Sequence, residues 1–325
     1  MEPAEAGEAV TRKGLLVIGD VVTDVVALHG GPALAGLALG TDTAADIVLR
    51  PGGSGANTAS WAAHLGADAR ILTRVGFDTG EWHAAELRRG GVRPHLRVDP
   101  DRPTAVVIAM IDATGERSML TNRGAGGHIG VDDWDDGLLD GVRHLHLSGY
   151  TLFAEPGLQL SRLALAEAAL RDVTISVDPA STGFLRSFGA ERFIQETLAA
   201  QLIIPNLDEA LLLTGESSAE RAAERLSLRY GAAAVKLGSR GALMARDGKL
   251  TARVPGIAAE VVDSTGAGDA FAAGLLTALL RGVADETALN AGGRAGAEAV
   301  TAVGGRPRIS ASDLGTDQLY PLNTN

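Results

Sequence analysis

The sequence predicts an α/β fold, a largely parallel sheet sandwiched between helices, with a small β lid beside it. Three observations predict this. Short apolar runs alternate with helical patterns along most of the chain, the order expected of βαβ units. Polar and glycine-rich residues stand at the C-terminal ends of those runs, where open parallel sheets bind their ligands. Two segments, 21–50 and 97–120, break the alternation and are richer in turns and short alternating strands.

The elements follow in order. Residues 15–18 (Leu-Leu-Val-Ile) read as a buried strand that ends at Gly19-Asp20. Residues 71–75 form the next strand, followed by a helix over 79–89. Residues 104–111 and 117–120, joined by the turn 112–115, read as a hairpin in the lid. A strand over 144–148 precedes a helix over about 155–170, and 174–178 is a strand ending in Asp178. Residues 202–205 lead into a helix over 207–213, 233–237 is a further strand, and 270–280 is helical. Asp178, Asn206, Gly238 and the 263–269 turn all fall at C-terminal strand ends. The pattern divides the chain into a large α/β domain (13–20, 51–96 and 121–325), the lid (21–50 and 97–120) and a disordered tail (1–12).

With 325 residues, 46% of them hydrophobic, the chain can bury the core of one large domain plus a small one. The net charge is −11 and there is no Lys/Arg run, which argues against a nucleic-acid partner and against anionic membrane surfaces. There is no cysteine, so disulfides, thiolate zinc sites and a cysteine nucleophile are excluded. Glu2, Glu5 and Glu8 leave the first ten residues without the apolar core of a signal peptide. The longest apolar run, around 270–280, is too short and too rich in Gly and Ala to span a bilayer. A cytoplasmic enzyme is expected.

The densest chemistry lies in residues 263–274, Asp-Ser-Thr-Gly-Ala-Gly-Asp-Ala-Phe-Ala-Ala-Gly. Gly266 and Gly268 let the backbone turn tightly and bring its N–H groups to a ligand, and the following helix points its positive end at the same place. Asp269 sits in the mouth of that anion site. A carboxylate there can take a proton from an attacking hydroxyl; an aspartate at a helix start can equally be only a cap. A second glycine-rich turn, Pro51-Gly-Gly-Ser-Gly-Ala-Asn57, opens another helix. Its Asn57 can donate and accept at once, which suits a sugar hydroxyl.

The full string 263–271 resembles the C-terminal signature of the PfkB, or ribokinase-like, carbohydrate kinases. The resemblance runs from about residue 14 to residue 307 and carries four motifs in the family's order: Asp24, Gly52 to Asn57, Asn206 to Glu209, and Asp263 to Asp269. It implies a ribokinase-like three-layer αβα sandwich with a small β lid. It further implies that Asp269 is the catalytic base and that Gly266, Ala267 and Gly268 form the anion hole. On the same resemblance Asp24, Gly52, Gly53 and Asn57 bind the sugar. Asn206 and Glu209 match an Asn-x-x-Glu motif whose glutamate arranges Mg2+ through water; the spacing also makes a capping box, and the two readings are compatible. The segment from Lys236 through Gly238 to Gly241 resembles the strand-to-loop stretch that borders ATP, with Thr265 and Gly268 also at the nucleotide. Ribokinases often have Thr where Lys236 stands.

Asp263 and Thr265 match part of the family's monovalent-cation site. Arg308 falls where ribokinase has a small hydroxyl residue, and a cation such as K+ beside Arg is unfavourable. The lysine common in the ribokinase Gly-Gly-Lys-Gly-Ala-Asn segment is Ser54 here. Arg123, just past the lid hairpin, can bind a carboxylate or phosphate of the acceptor or can serve a structural ion pair. The acceptor class stays open between a sugar or sugar derivative and a nucleoside. The sequence shows no aromatic cluster to stack a base, with Tyr150 and Phe153 the nearest candidates. A sugar-binding regulator on the same fold is a further alternative, against which an intact Asp269 speaks. An exposed lid edge could pair with a second subunit to form a homodimer.

Competing motifs are absent. No Gly-x-x-x-x-Gly-Lys-[Ser/Thr] loop, no strand-linked Gly-x-Gly-x-x-Gly and no His-Glu-x-x-His occurs. His144 and His146 share one face of a strand, but without a third ligand nearby they read as packed histidines rather than a metal pair.

Overall fold

A computed structural model describes residues 14–29, 40–111 and 117–308 of the protein. The tail 1–12 and the turn 112–115 lie outside the described residues. The centre is β1 (Gly14–Ile18), five residues that are all buried. Such a run must satisfy both faces of a sheet at once. Leu16 and Ile18 accordingly join one core, and Leu15 and Val17 the other.

β1 pairs in parallel with β4 (Asp68–Gly76) on one side and with β8 (Val142–Ser148) on the other. Beyond β4 lies β5 (Arg93–Asp99), also parallel, at the sheet edge. On the far side β9 (Thr174–Asp178), β10 (Leu202–Ile203) and β11 (Ala232–Lys236) continue the parallel order. Antiparallel β12 (Ala242–Arg246) and β13 (Lys249–Val254) complete nine strands. One face is covered by α3 (Glu155–Leu170), α5 (Ala190–Thr197), α6 (Leu207–Thr214) and α7 (Ala219–Tyr230). The other is covered by α1 (Ser54–His64), α2 (Gly80–Arg89), α8 (Ala267–Leu280) and α9 (Asp285–Ala299). This is the three-layer sandwich the sequence predicts. α4 (Thr182–Phe188) lies just after the end of β9.

The lid is a separate four-stranded sheet in the order β3-β2-β6-β7. Its strands are β2 (Val22–His29), β3 (Ala45–Gly52), β6 (Ala105–Ile111) and β7 (Arg117–Asn122). Two boundaries differ from the sequence reading. Residues 97–99 pair with β4 in the main sheet, because an edge strand alternates in polarity much as a lid strand does. The lid also extends inward to Gly52 and Asn122, which pair with Val22 and Val106.

α8 and α9 pack closely because small residues line their contact. A Cβ placed on Gly274 would lie 2.7 Å from the carbonyl oxygen of Ala291. Alanine in a helix interior normally gains about 1 kcal/mol over glycine. Here the overlap is with backbone, which cannot swing aside, and overpacking typically costs about 1–3 kcal/mol. Gly274→Ala should therefore lower the urea midpoint; a raised midpoint would show that α9 gives way freely.

Candidate active site

The cleft between lid and sheet ends encloses about 510 Å³, the size of a small-molecule site. Its floor is the meeting of two helix N-termini, α1 and α8. Gly266 caps α8 with φ 75°, a left-handed conformation, and a Cβ there would lie 2.5 Å from Gly305. Glycine at that position lets Asp269, in the first turn, face α1. The Oδ1 of Asp269 accepts from the Ser54 hydroxyl at 2.8 Å and its Oδ2 from the Asn57 amide at 2.9 Å. Burial pushes the Asp269 carboxyl up to about 7, against the pull of those two hydrogen bonds. The Oδ1 of Asn57 is left buried without a hydrogen-bond partner, an acceptor available to a ligand hydroxyl.

Asp24 reaches the cleft from β2. Burial, with Asp20 adding like charge, raises it to about 6, while Arg306 opposes the rise. Gly52 is not on the cleft wall: a Cβ there would fall 2.1 Å from the Asp24 carboxylate, so its role is to leave that carboxylate room. Gly53 does line the cleft. Arg306 stands behind Asp24 and donates to the Gly52 carbonyl at 3.2 Å. Asp20 takes the Gly55 N–H at 3.1 Å and is raised by burial. Arg123 lines the cleft and donates to the Tyr150 carbonyl at 2.6 Å.

At the other end, Asn206 and Glu209 form both bonds of the capping box, at 2.8 and 2.9 Å, and both line the cleft. Burial, then Asp178, raises Glu209 to about 7. Lys236, at the end of β11, donates to Asp178 at 2.5 Å. Gly238, Thr265 and Gly268 face the cleft. Gly241 and Ala267 do not: Gly241 packs on the Val254 carbonyl, and Ala267 turns its N–H to Ser264 at 3.4 Å. Asp263 spends its two oxygens on the N–H groups of Thr265 and Gly304, at 2.8 and 3.0 Å. Arg308 donates to the Thr301 carbonyl at 3.5 Å. Among the described residues no group of three or more acidic or histidine side chains is placed to hold a metal.

Sequence reasoning placed Asp178 at a ligand-binding strand end and named Tyr150 and Phe153, but missed Asp20, Phe184 and the bond of Ser54 to Asp269. Tyr150 and Phe184 line the cleft, and Phe184 stacks on Phe153 at 5.3 Å with Phe188 and Phe193 behind. These rings come from three separate elements, so no local run announces them. His144 and His146 are buried against Thr174 and Ser176 at 2.7–2.8 Å. Burial depresses them to about 3 and about 4, so they are neutral packing residues.

Residues 12–311 match the pfkB family carbohydrate kinase pattern. The chain belongs to that family. The kinase is similar to ATP-dependent 6-phosphofructokinase of Thermoanaerobacterium thermosaccharolyticum, 26% identical over 86% of this chain and 85% of the relative. It is 31% identical to ATP-dependent ribose-1-phosphate kinase of Halopiger xanaduensis, over 70% of this chain and 73% of the relative. Among solved structures it resembles adenosine kinase from Sinorhizobium meliloti, with a TM-score of 0.82, 26% identity and coverage of 92% and 97% of the two chains. These relatives share the phosphotransfer and differ in the acceptor. No helix among the described residues of the kinase is long and apolar enough to cross a membrane.

The buried Asp269 carboxyl should show in stability. Asp269 has a folded pKa above its unfolded one, so between about pH 4 and pH 7 the folded state binds the extra proton and stability falls as pH rises. Asp269→Asn removes that charge, and the freed Asn57 amide can turn its oxygen toward the new N–H. The variant should be more stable than the parent by on the order of 2–4 kcal/mol at pH 8, with no difference near pH 4. Equal melting temperatures at pH 8 would mean that the carboxylate is not strained by burial.

Proposed function

We propose that this kinase transfers the γ-phosphate of MgATP to a hydroxyl, of primary type, on a sugar or sugar derivative. The observation that carries the reading is the buried Asp269, held by Ser54 and Asn57 at the N-terminus of α8. Asp269 takes the acceptor's proton. The N–H groups around Gly266 and Gly268, with the positive end of α8, stabilise the charge on the phosphoryl oxygens. Asp24, Gly53 and the free Oδ1 of Asn57 hold the acceptor's hydroxyls. Mg2+ takes hard oxygen donors and keeps several waters, and the Glu209 carboxylate in the cleft suits that role; bound with ATP, the ion would offset phosphate charge. K+ has no part in the proposal, because Arg308 stands at the loop that Asp263 holds through Gly304, and a cation beside a guanidinium is unfavourable.

One observation favours a second acceptor class. The Tyr150 and Phe184 rings, set edge to face, offer apolar aromatic surface in the same cleft as the hydroxyl-binding residues, which suits the base of a nucleoside. For assembly, the outer face of the lid leaves Ile47, Leu49 and Leu120 largely exposed, at 63%, 61% and 59%. An apolar patch of this kind suits a second lid in a homodimer.

The test is ADP release from MgATP against a panel of sugars, sugar acids, sugar phosphates and nucleosides. Asp269→Ala should lower kcat by about 10²–10⁴-fold. For the parent, kcat/KM should rise with pH and level off above about 7, since the base must be ionised. An unchanged kcat in the variant would remove Asp269 from the reaction.

A further inference from the structure

Three cationic side chains line the cleft among the described residues: Arg50, Arg123 and Lys236. The two arginines belong to the lid and its exit. Lys236 alone comes from the sheet, and it reaches the anion-holding turn. The place a Cβ would occupy on Gly268 is 3.3 Å from the Lys236 ammonium nitrogen. The ammonium therefore rests against the backbone that opens α8, one residue before Asp269.

Its partner fixes it there. Lys236 and Asp178 meet at 2.5 Å with side chains 13% and 9% exposed. The other oxygen of Asp178 accepts the N–H of Ala180 at 2.9 Å, and Ala180 has φ 72°, a left-handed conformation that a non-glycine residue rarely takes. The loop after β9 is thus bent to aim Asp178 at Lys236. An ammonium has three N–H donors, and among the described residues its hydrogen bond is the one to Asp178. Two donors remain for something that arrives in the cleft. Desolvation pulls the Lys236 pKa down, but Asp178, Glu209 and Asp269 more than offset it, so the amine is charged.

A bare structural ion pair would explain the contact with Asp178. It would not explain why the pair stands at the mouth of the anion site rather than in the core, nor the bent loop that supports it. We infer that Lys236 touches the non-bridging oxygens of the transferring phosphoryl group, with Asp178 as the residue that positions it. This rests on the kinase reading above. The acceptor's oxygen bonds to the γ-phosphorus, its proton passes to Asp269, and the bond from the γ-phosphorus to the bridging oxygen of ADP breaks with its electron pair going to ADP. Lys236 gives up no proton; its charge faces the equatorial oxygens throughout, as a point charge on a flexible stem can.

The test is calorimetric binding of MgADP and of the β,γ-imido analogue of MgATP to the full chain, so that the readout does not depend on turnover or on the acceptor. Lys236→Met should weaken the triphosphate analogue by about 10- to 100-fold, the worth of a hydrogen bond to a charged group, and MgADP by less than about threefold. Asp178→Asn should shift the same preference in the same direction by a smaller factor, with melting temperatures recorded for each variant. If Lys236→Met does not fold, Lys236→Gln keeps an N–H for Asp178 without the charge and should give the same loss of preference. Equal weakening of both nucleotides, or none, overturns the role of Lys236 while leaving the kinase intact. A parent protein that binds neither nucleotide overturns the kinase reading and this inference with it.

Discussion

A carboxylate buried at the junction of two helix N-termini is the constraint on which this site depends. Such a group is destabilising unless its oxygens are hydrogen-bonded. Ser54 and Asn57, in the first turn of α1, provide those bonds to Asp269 in the first turn of α8. The two helices must therefore meet end to end, and the chain around them is shaped to allow it. The left-handed Gly266 turns the backbone into α8, and Gly305 leaves space for both Gly266 and Asn57. Trp61, further along α1, fastens the same loop through a 2.9 Å bond to the Gly305 carbonyl. Fold and site are here one set of contacts.

Charge is distributed along the cleft with the same economy. Asp24, Glu209 and Asp269 are all raised by burial, to between about 6 and about 7. A cleft that holds such groups near neutrality can change ionisation with its ligands. Cations are placed to meet them: Arg306 behind Asp24, Lys236 on Asp178. An acidic protein can therefore still receive a polyanionic nucleotide, since the local field at the sheet ends is set by helix N-termini and these cations rather than by net charge.

The lid brings Asp24 to the cleft and the main domain brings Asp269. Asp24 rides on β2, which leaves the main sheet directly after β1, while Asp269 belongs to α8. Any movement of the lid relative to the sheet would alter the distance between Asp24 and Asp269, which is how a two-part cleft can couple closure to what it binds.

What the sequence determined by itself was local. The period of the apolar runs decided strand or helix, so β1, β9, α3 and α6 stand where the pattern placed them. The glycine-rich turns marked where the backbone bends sharply at a helix start, so Asp269, Asn57, Gly53 and Gly268 were legible as neighbours of the cleft. What the tertiary structure decided was pairing across distance. Ser54 meets Asp269 across 215 positions, and Lys236 meets Asp178 across 58. The rings of Tyr150 and Phe184 form a wall only after β8 and β9, which they follow, pair, and Gly52 proves to leave room for the Asp24 carboxylate instead of lining the cleft. The physical reason is that periodicity and turn chemistry act over a few neighbouring residues, whereas the partner of a buried charge is chosen by how helices and strands pack.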